Sequence, residues 1–282
     1  MNRESGHLAG AGGVRIEWQA WLPEEPRAVV VIAHGAGEHS GRYEHVARRL
    51  VDAGYAVYAL DHRGHGRSQG RRALVDRLDN AVADVRGLLG VARAAHPGLG
   101  IFLLGHSMGG AIALAFAIRH QDELSGLALS GPVAALEAAS PALRLAARAL
   151  SVLTPGLGVF AVDSSLVSRD PEVVRAYRED PLVFHGKLPA RTVAELAAAV
   201  ERFPAQVPGI RIPLLVMHGT ADALAPVAGG TMVHERAGST DRTLHLYEGL
   251  YHEILNEPEQ ERVLSDLVAW LDARANGAAA VR

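Results

Sequence analysis

A serine framed by glycines, an aspartate and a histidine occur in an order that could do chemistry together. Ser107 lies in Gly105-His106-Ser107-Met108-Gly109-Gly110, a Gly-x-Ser-x-Gly pattern. A serine hydroxyl is a weak nucleophile at neutral pH. It needs a base within hydrogen-bond reach, and that base needs a third group to orient it. Candidates for both follow downstream: Asp222 in His218-Gly219-Thr220-Ala221-Asp222, and His252 in Glu248-Gly249-Leu250-Tyr251-His252. Serine, acid, histidine is the order expected after a nucleophile elbow, a sharp strand-to-helix turn that exposes the serine. Each partner also has an ordinary reading. Asp222 could cap a following helix, and His252 is one of 14 histidines. All three fall just after apolar runs, and as a set they read as a triad: Ser107 nucleophile, His252 base, Asp222 orienter.

Attack on a carbonyl also needs donors for the oxyanion that develops. The backbone N–H of Met108, directly after the serine, is one candidate. The N–H of Ala36, in His34-Gly35-Ala36-Gly37, is the other, since glycines let the backbone approach a substrate. That glycine-rich loop is not a phosphate cradle, because neither the dinucleotide fingerprint nor the Walker pattern is matched. His62-x-x-His65 has the look of a metal pair, but no third ligand stands at suitable spacing; it reads as a turn, and no metal is expected.

These residues need strands to carry them. Residues 14–21 alternate as a strand with one solvated face, and 27–33, 54–60, 101–104, 124–130, 212–218 and 243–247 are short apolar or alternating runs. Helical stretches separate them at about 42–53, 80–95, 111–118 and 259–274. Strands alternating with helices predict an α/β fold, a doubly wound and mostly parallel sheet. In such sheets, sites form at the carboxyl ends of strands, where the His-, Gly- and Asp-rich loops fall.

The alternation breaks over residues 131–207. With Pro208 this stretch holds 8 of the 14 prolines and no convincing buried strand. It is expected to be a helical cap inserted into an α/β core made of 1–130 and 208–282. A helix over 141–153 would group Arg144 with Arg148 and spread Leu143, Ala146, Leu150 and Leu153 over a wide apolar stripe. That stripe could pack on the core or face lipid; the scarcity of charge over 133–162 favours lipid.

The chain has 282 residues, 49% hydrophobic and 21% charged, enough for one large domain with an insertion. A net charge of −3 gives no reason to expect a nucleic-acid partner. Without cysteine there is no disulfide and no thiolate chemistry. The N-terminal residues lack the apolar core of a signal peptide, and no run reaches the length of a membrane span. A cytoplasmic location, or a peripheral one on a lipid surface, is the expectation.

With these motifs placed, the sequence resembles the monoacylglycerol lipase family of the α/β-hydrolase superfamily. The likeness rests on His34-Gly-Ala-Gly-Glu-His-Ser-Gly-Arg-Tyr43, Asp61-His-Arg-Gly-His-Gly-Arg-Ser68, the elbow, and Tyr247-Glu-Gly-Leu-Tyr-His252. Asp163-Ser-Ser, Ser168-Arg-Asp and Asp180-Pro-Leu182 extend it into the insertion, and it spans residues 14–271. The resemblance implies cofactor-free hydrolysis of monoacylglycerols to fatty acid and glycerol, under a cap that forms an apolar acyl tunnel and contacts membranes. By motif position it implies that Glu38, Arg42 and Tyr177 line the polar end that receives glycerol. Glu38 and Arg42, four apart, could equally be an ion pair at a helix start. Two other readings keep part of the pattern: a general carboxylesterase or thioesterase on the same triad, and a non-catalytic binding protein of the same fold.

Overall fold

The computed structural model describes residues 1–135 and 149–275. Its frame is an eight-stranded sheet in the order β1-β2-β4-β3-β5-β6-β9-β10. The strands are β1 (Asn2–Ala9), β2 (Arg15–Leu22), β3 (Ala28–Ala33), β4 (Tyr55–Leu60), β5 (Ile101–His106), β6 (Gly126–Ser130), β9 (Leu214–Gly219) and β10 (Arg242–Tyr247). From β4 to β10 all neighbours are parallel, whereas β1 and β2 run antiparallel at one edge.

The central strands form because they are β-branched and apolar on both faces. All six residues of β3 are buried, and so are all six of β5. A parallel strand covered on both sides must read that way. One face is covered by α1 (Glu44–Asp52) and α7 (Gln260–Ala275), through residues such as Val46, Leu50, Leu267 and Trp270. The other is covered by α2 (Leu78–Ala95), α3 (Met108–His120), α5 (Ala190–Gln206) and α6 (Val227–Arg236).

The expected strands are all present, with ends moved by a residue or two. Two elements differ. Strand β1 escapes the sequence because it is polar and exposed, Asn-Arg-Glu-Ser-Gly-His-Leu-Ala, and exists only by pairing with β2 from Asn2–Leu22 to Ala9–Arg15. The helix expected from residue 42 instead begins as a 3₁₀ turn, Ser40–Tyr43, and α1 follows from Glu44.

Between β6 and β9 the described residues form β7 (Gly158–Phe160), α4 (Pro171–Glu179), β8 (Leu188–Pro189) and α5. β7 and β8 pair as a short antiparallel ribbon, an element absent from the helical expectation because two strands of three and two residues carry no periodicity. The segment is tied down by polar contacts: His39 Nε2 to Asp180 Oδ2 (2.9 Å), Phe184 N–H to Gly37 O (2.7 Å) and Arg72 Nη2 to Leu182 O (2.9 Å). Its last helix, α5, shares the main core through Leu196, Ala199 and Phe203. The expected helix over 141–153, with Leu143, Ala146, Arg144 and Arg148, lies mostly outside the described residues. Its last residues, 149–153, are helical.

Candidate active site

Ser107 stands between β5 and α3 with φ +53° and ψ −118°, a backbone conformation that only glycine adopts at low cost. Its surroundings enforce the turn. Ser107 N–H donates to Ser130 O at 3.1 Å, and its carbonyl accepts from Val133 N–H at 3.1 Å. The flanking glycines are there for space. A Cβ on Gly109 would overlap the Ala33 carbonyl, and one on Gly105 would meet Gly109 O and Ala113. The spacing of the pattern thus records how tightly α3 crosses the ends of β3 and β5.

Asp222 follows β9 and His252 follows β10, and the parallel sheet brings both to the edge that carries Ser107. His252 Nε2 lies 2.8 Å from Ser107 Oγ, and His252 Nδ1 lies 2.7 Å from Asp222 Oδ2. An ionised carboxylate can only accept, so Nδ1 carries the proton and Nε2 is free to accept from the hydroxyl. The Asp222 side chain is fully buried. Burial alone would raise its pKa, but hydrogen bonds from His218 and His252 outweigh it and hold the carboxyl well below its usual range.

The alternative reading of Asp222 as the cap of the following helix is not realised, since Pro226 holds the N-cap position of α6. Asp222 Oδ1 accepts from Leu224 N–H (2.8 Å) and Ala225 N–H (2.9 Å). Those amides belong to the turn before α6, not to the helix itself. One carboxylate therefore shapes its own loop with Oδ1 and orients His252 with Oδ2.

His218 is a partner the sequence did not reveal. Its Nε2 faces Asp222 Oδ2 at 3.0 Å and Ala225 O at 3.1 Å, both acceptors, so it donates. Its only signal in the sequence was position, at the end of an apolar strand four residues before Asp222.

Ala36 and Met108 both line the cavity over Ser107. Met108 opens α3, so its N–H has no intrahelical acceptor. The Ala36 N–H has no backbone acceptor among the described residues. Two amides and a helix N-terminus beside a serine are what a developing oxyanion requires.

Glu38, Arg42 and Tyr177 come together, and they do so around a fourth residue, Glu253. Arg42 Nη1 donates to Glu38 Oε2 (2.8 Å) and to Glu253 Oε1 (2.7 Å), and Nη2 donates to Glu253 Oε2 (2.8 Å). The guanidinium lies over the Tyr177 ring, 4.7 Å from its centre. The ion pair expected at a helix start is thus present, with Glu38 just before the 3₁₀ turn that holds Arg42, and it is buried. Glu38 Oε1 also accepts from Tyr43 Oη (2.8 Å) and Gly35 N–H (2.5 Å), which ties the cluster to the glycine loop. Burial would raise the Glu38 pKa, but Arg42 prevails and brings it to about 2.

The cavity measures about 140 Å³. Its polar wall is Glu38, His106, Ser107, His252 and Glu253; the remainder is apolar, including Val162, Val167, Leu188, Leu196 and Leu224. Burial pushes His106 down to about 4 and keeps it neutral at pH 7.

His62 and His65 form the expected turn, with His65 N–H donating to His62 O at 2.8 Å. Both rings are buried against His34, whose Nε2 accepts the His62 N–H at 2.9 Å.

The sheet order, the strained serine at a strand-to-helix turn and the loops after β9 and β10 define an α/β-hydrolase. The sequence profile of the family described as serine aminopeptidase, S33, matches residues 24–259. Monoacylglycerol lipase of Mycolicibacterium smegmatis is 49% identical over 271 residues, covering 95% of this chain and 97% of that protein. Human monoglyceride lipase is 38% identical over 273 residues, with 95% and 90% covered. The crystal structure of Paleococcus ferrophilus monoacylglycerol lipase superposes with a TM-score of 0.83 at 30% identity, over 97% of this chain and 100% of that one. The chain belongs to the monoacylglycerol lipase family of α/β-hydrolases.

Proposed function

We propose that the protein hydrolyses monoacylglycerols to fatty acid and glycerol through an acyl-enzyme on Ser107. The observation that carries this reading is the hydrogen-bonded series Ser107 Oγ, His252, Asp222, with Ser107 and His252 on the wall of a cavity lined mostly by apolar residues and by Glu38 and Glu253. Ser107 attacks the ester carbonyl while His252 Nε2 takes its proton. Asp222 keeps the imidazole in the productive tautomer and stabilises its charged form. The Ala36 and Met108 amides receive the oxyanion; one such donor is typically worth about 3 kcal/mol. His252 then protonates the leaving glycerol, and a water, activated by the same histidine, releases the fatty acid. Glu38, with Arg42 behind it and Tyr177 across from it, receives the glycerol hydroxyls, while the valines and leucines of the wall take the acyl chain.

Residues 131–207 act as a cap on a core of 1–130 and 208–282, with α5 as the cap's root. Support comes from the lining: Val133, Phe160, Val162, Val167, Tyr177 and Leu188 all belong to this segment. The cap also meets lipid. Val152, Leu153, Leu157, Val159 and Phe160 are all exposed apolar residues, and a run of this kind marks an interaction surface. No helix among the described residues is long and apolar enough to cross a membrane, so contact is peripheral.

Trapping tests the covalent step. Protein quenched in acid during turnover of a long-chain p-nitrophenyl ester should carry the acyl group on the peptide containing Ser107. An acyl adduct on another residue, or none under burst conditions, would remove the mechanism.

A further inference from the structure

Among the described residues, the charge on the cavity wall is of one sign: Glu38 and Glu253 line it beside Ser107 and His252, with no lysine or arginine. Arg42 sits behind the two carboxylates and is consumed by them: both Nη1 bonds and one Nη2 bond go to Glu38 or Glu253. Asn256 Nδ2 gives Glu253 Oε2 a further donor at 2.9 Å. Two carboxylates against one guanidinium leave this cluster one negative charge in excess. Both carboxyls stay ionised, since the Arg42 charge overrides the burial that would raise them. His106, the neighbouring ionisable group on the wall, is neutral at pH 7 and offsets nothing.

We propose that Glu253 sets leaving-group specificity: as the second carboxylate on Arg42, it makes the polar end of the cavity net negative, so that neutral or cationic polyols are accepted and anionic ones are refused. The inference rests on the reading that the alcohol part of an ester occupies this end. With Glu38 alone, Arg42 would form a neutral pair with donors to spare, and a guanidinium with free donors is a good phosphate site. Glu253 takes those donors and adds a second carboxylate to the cavity wall. A polyol hydroxyl can donate to a carboxylate, whereas a phosphate meets a like charge in a partly dry site. Like charges about 6 Å apart at an effective dielectric constant near 20 repel enough for discrimination on the order of 100-fold. The substrate class refused is therefore the lysophosphatidic acid type, a fatty ester of glycerol phosphate.

The test compares kcat/KM for three esters of one acyl chain: the 1-monoacylglycerol, the matching lysophosphatidic acid, and the methyl ester, which does not fill the polar end. Wild-type protein should prefer the monoacylglycerol over lysophosphatidic acid by roughly 100-fold or more. Glu253→Gln should raise the lysophosphatidic acid to monoacylglycerol ratio at least 10-fold, with methyl-ester hydrolysis reporting that the variant is folded and its triad assembled. An unchanged ratio in an active variant overturns the proposal, and so does wild-type protein that cleaves both glycerol esters equally. A wild-type enzyme that favours the methyl ester over the monoacylglycerol instead refutes the glycerol reading beneath it. Product inhibition of wild-type protein needs no variant. 3-Amino-1,2-propanediol and glycerol should inhibit methyl-ester hydrolysis more strongly than glycerol 3-phosphate, and the reverse order overturns the assignment.

Discussion

Ser107, Asp222 and His252 sit at the ends of β5, β9 and β10, where the surrounding side chains are almost wholly buried. Val152, Leu153 and Phe160, on the segment joining β6 to β9, leave 71%, 78% and 48% of their surfaces open to solvent. The two regions meet over one cavity but differ in what they leave exposed. At the sheet edge, position follows from strand register and dense hydrogen bonding: Asp222 alone holds two amides and two imidazoles. The covering segment is also tied to the core by many bonds, among them His39–Asp180, Phe184–Gly37, Thr192–Ala73 and Arg169–Glu257, and differs in the apolar side chains it leaves exposed. The candidate triad stands at the ends of core strands, and the exposed apolar surface on the segment that covers them.

Breaking the sheet-edge region should give the largest effect. Ser107→Ala should fold normally and lose turnover on the order of 10⁴-fold or more; residual activity near the normal rate would show that another nucleophile serves. Asp222→Asn removes the charge and allows the wrong imidazole tautomer, so a loss of about 10³- to 10⁴-fold in kcat is expected. Because Asp222 also builds its own turn, circular dichroism should accompany that rate. A normal spectrum with a lost rate assigns the effect to chemistry.

Arg42 belongs to the boundary between the two regions. Arg42→Leu leaves Glu38 and Glu253 buried without a counter-charge, which should cost roughly 3–5 kcal/mol in denaturant unfolding. A change below 1 kcal/mol would mean that the carboxylates relax to solvent. The same cluster predicts acid sensitivity. Glu38 has a folded pKa of about 2 against 4.5 for the free side chain. A carboxyl depressed on folding contributes stability above its unfolded pKa and loses it as pH falls toward the folded value. Unfolding free energy should therefore decline between pH 4.5 and 2, and the Glu38→Gln variant should decline less steeply there.

What could be read without coordinates follows the same division. The parallel sheet, the elbow and the order serine, acid, histidine were legible because strands β3, β5 and β9 are continuous apolar runs and their loops open on one edge. Strand β1 was not legible, because its polar residues become a strand only against β2. Glu253 and His218 were hidden for a related reason. Glu253 acts on Arg42 across the fold, and His218 reaches Asp222 only through the turn that follows β9; neither carries a recognisable pattern. Motif position suggested that Glu38, Arg42 and Tyr177 line one polar end; the structure brings the three together, with Glu38 and Tyr177 on the cavity wall and Arg42 not among its lining residues.

The smallest effect is expected from the exposed face of the cover. Leu153→Asp with Val152→Asp should reduce co-sedimentation with neutral lipid vesicles several-fold, while hydrolysis of a soluble short-chain ester stays within twofold of normal. Equal binding by variant and parent would locate lipid contact elsewhere.

The most direct test of the account is a substrate panel on the unmodified protein: monoacylglycerols of several chain lengths, the matching di- and triacylglycerols, and p-nitrophenyl esters. The proposed glycerol end at Glu38, Arg42 and Tyr177 predicts a strong kcat/KM preference for monoacylglycerols over all the others. Equal or better activity on the simple esters would contradict it, leaving the Ser107, His252 and Asp222 assignment in place but reducing Glu38, Arg42 and Tyr177 to structural roles.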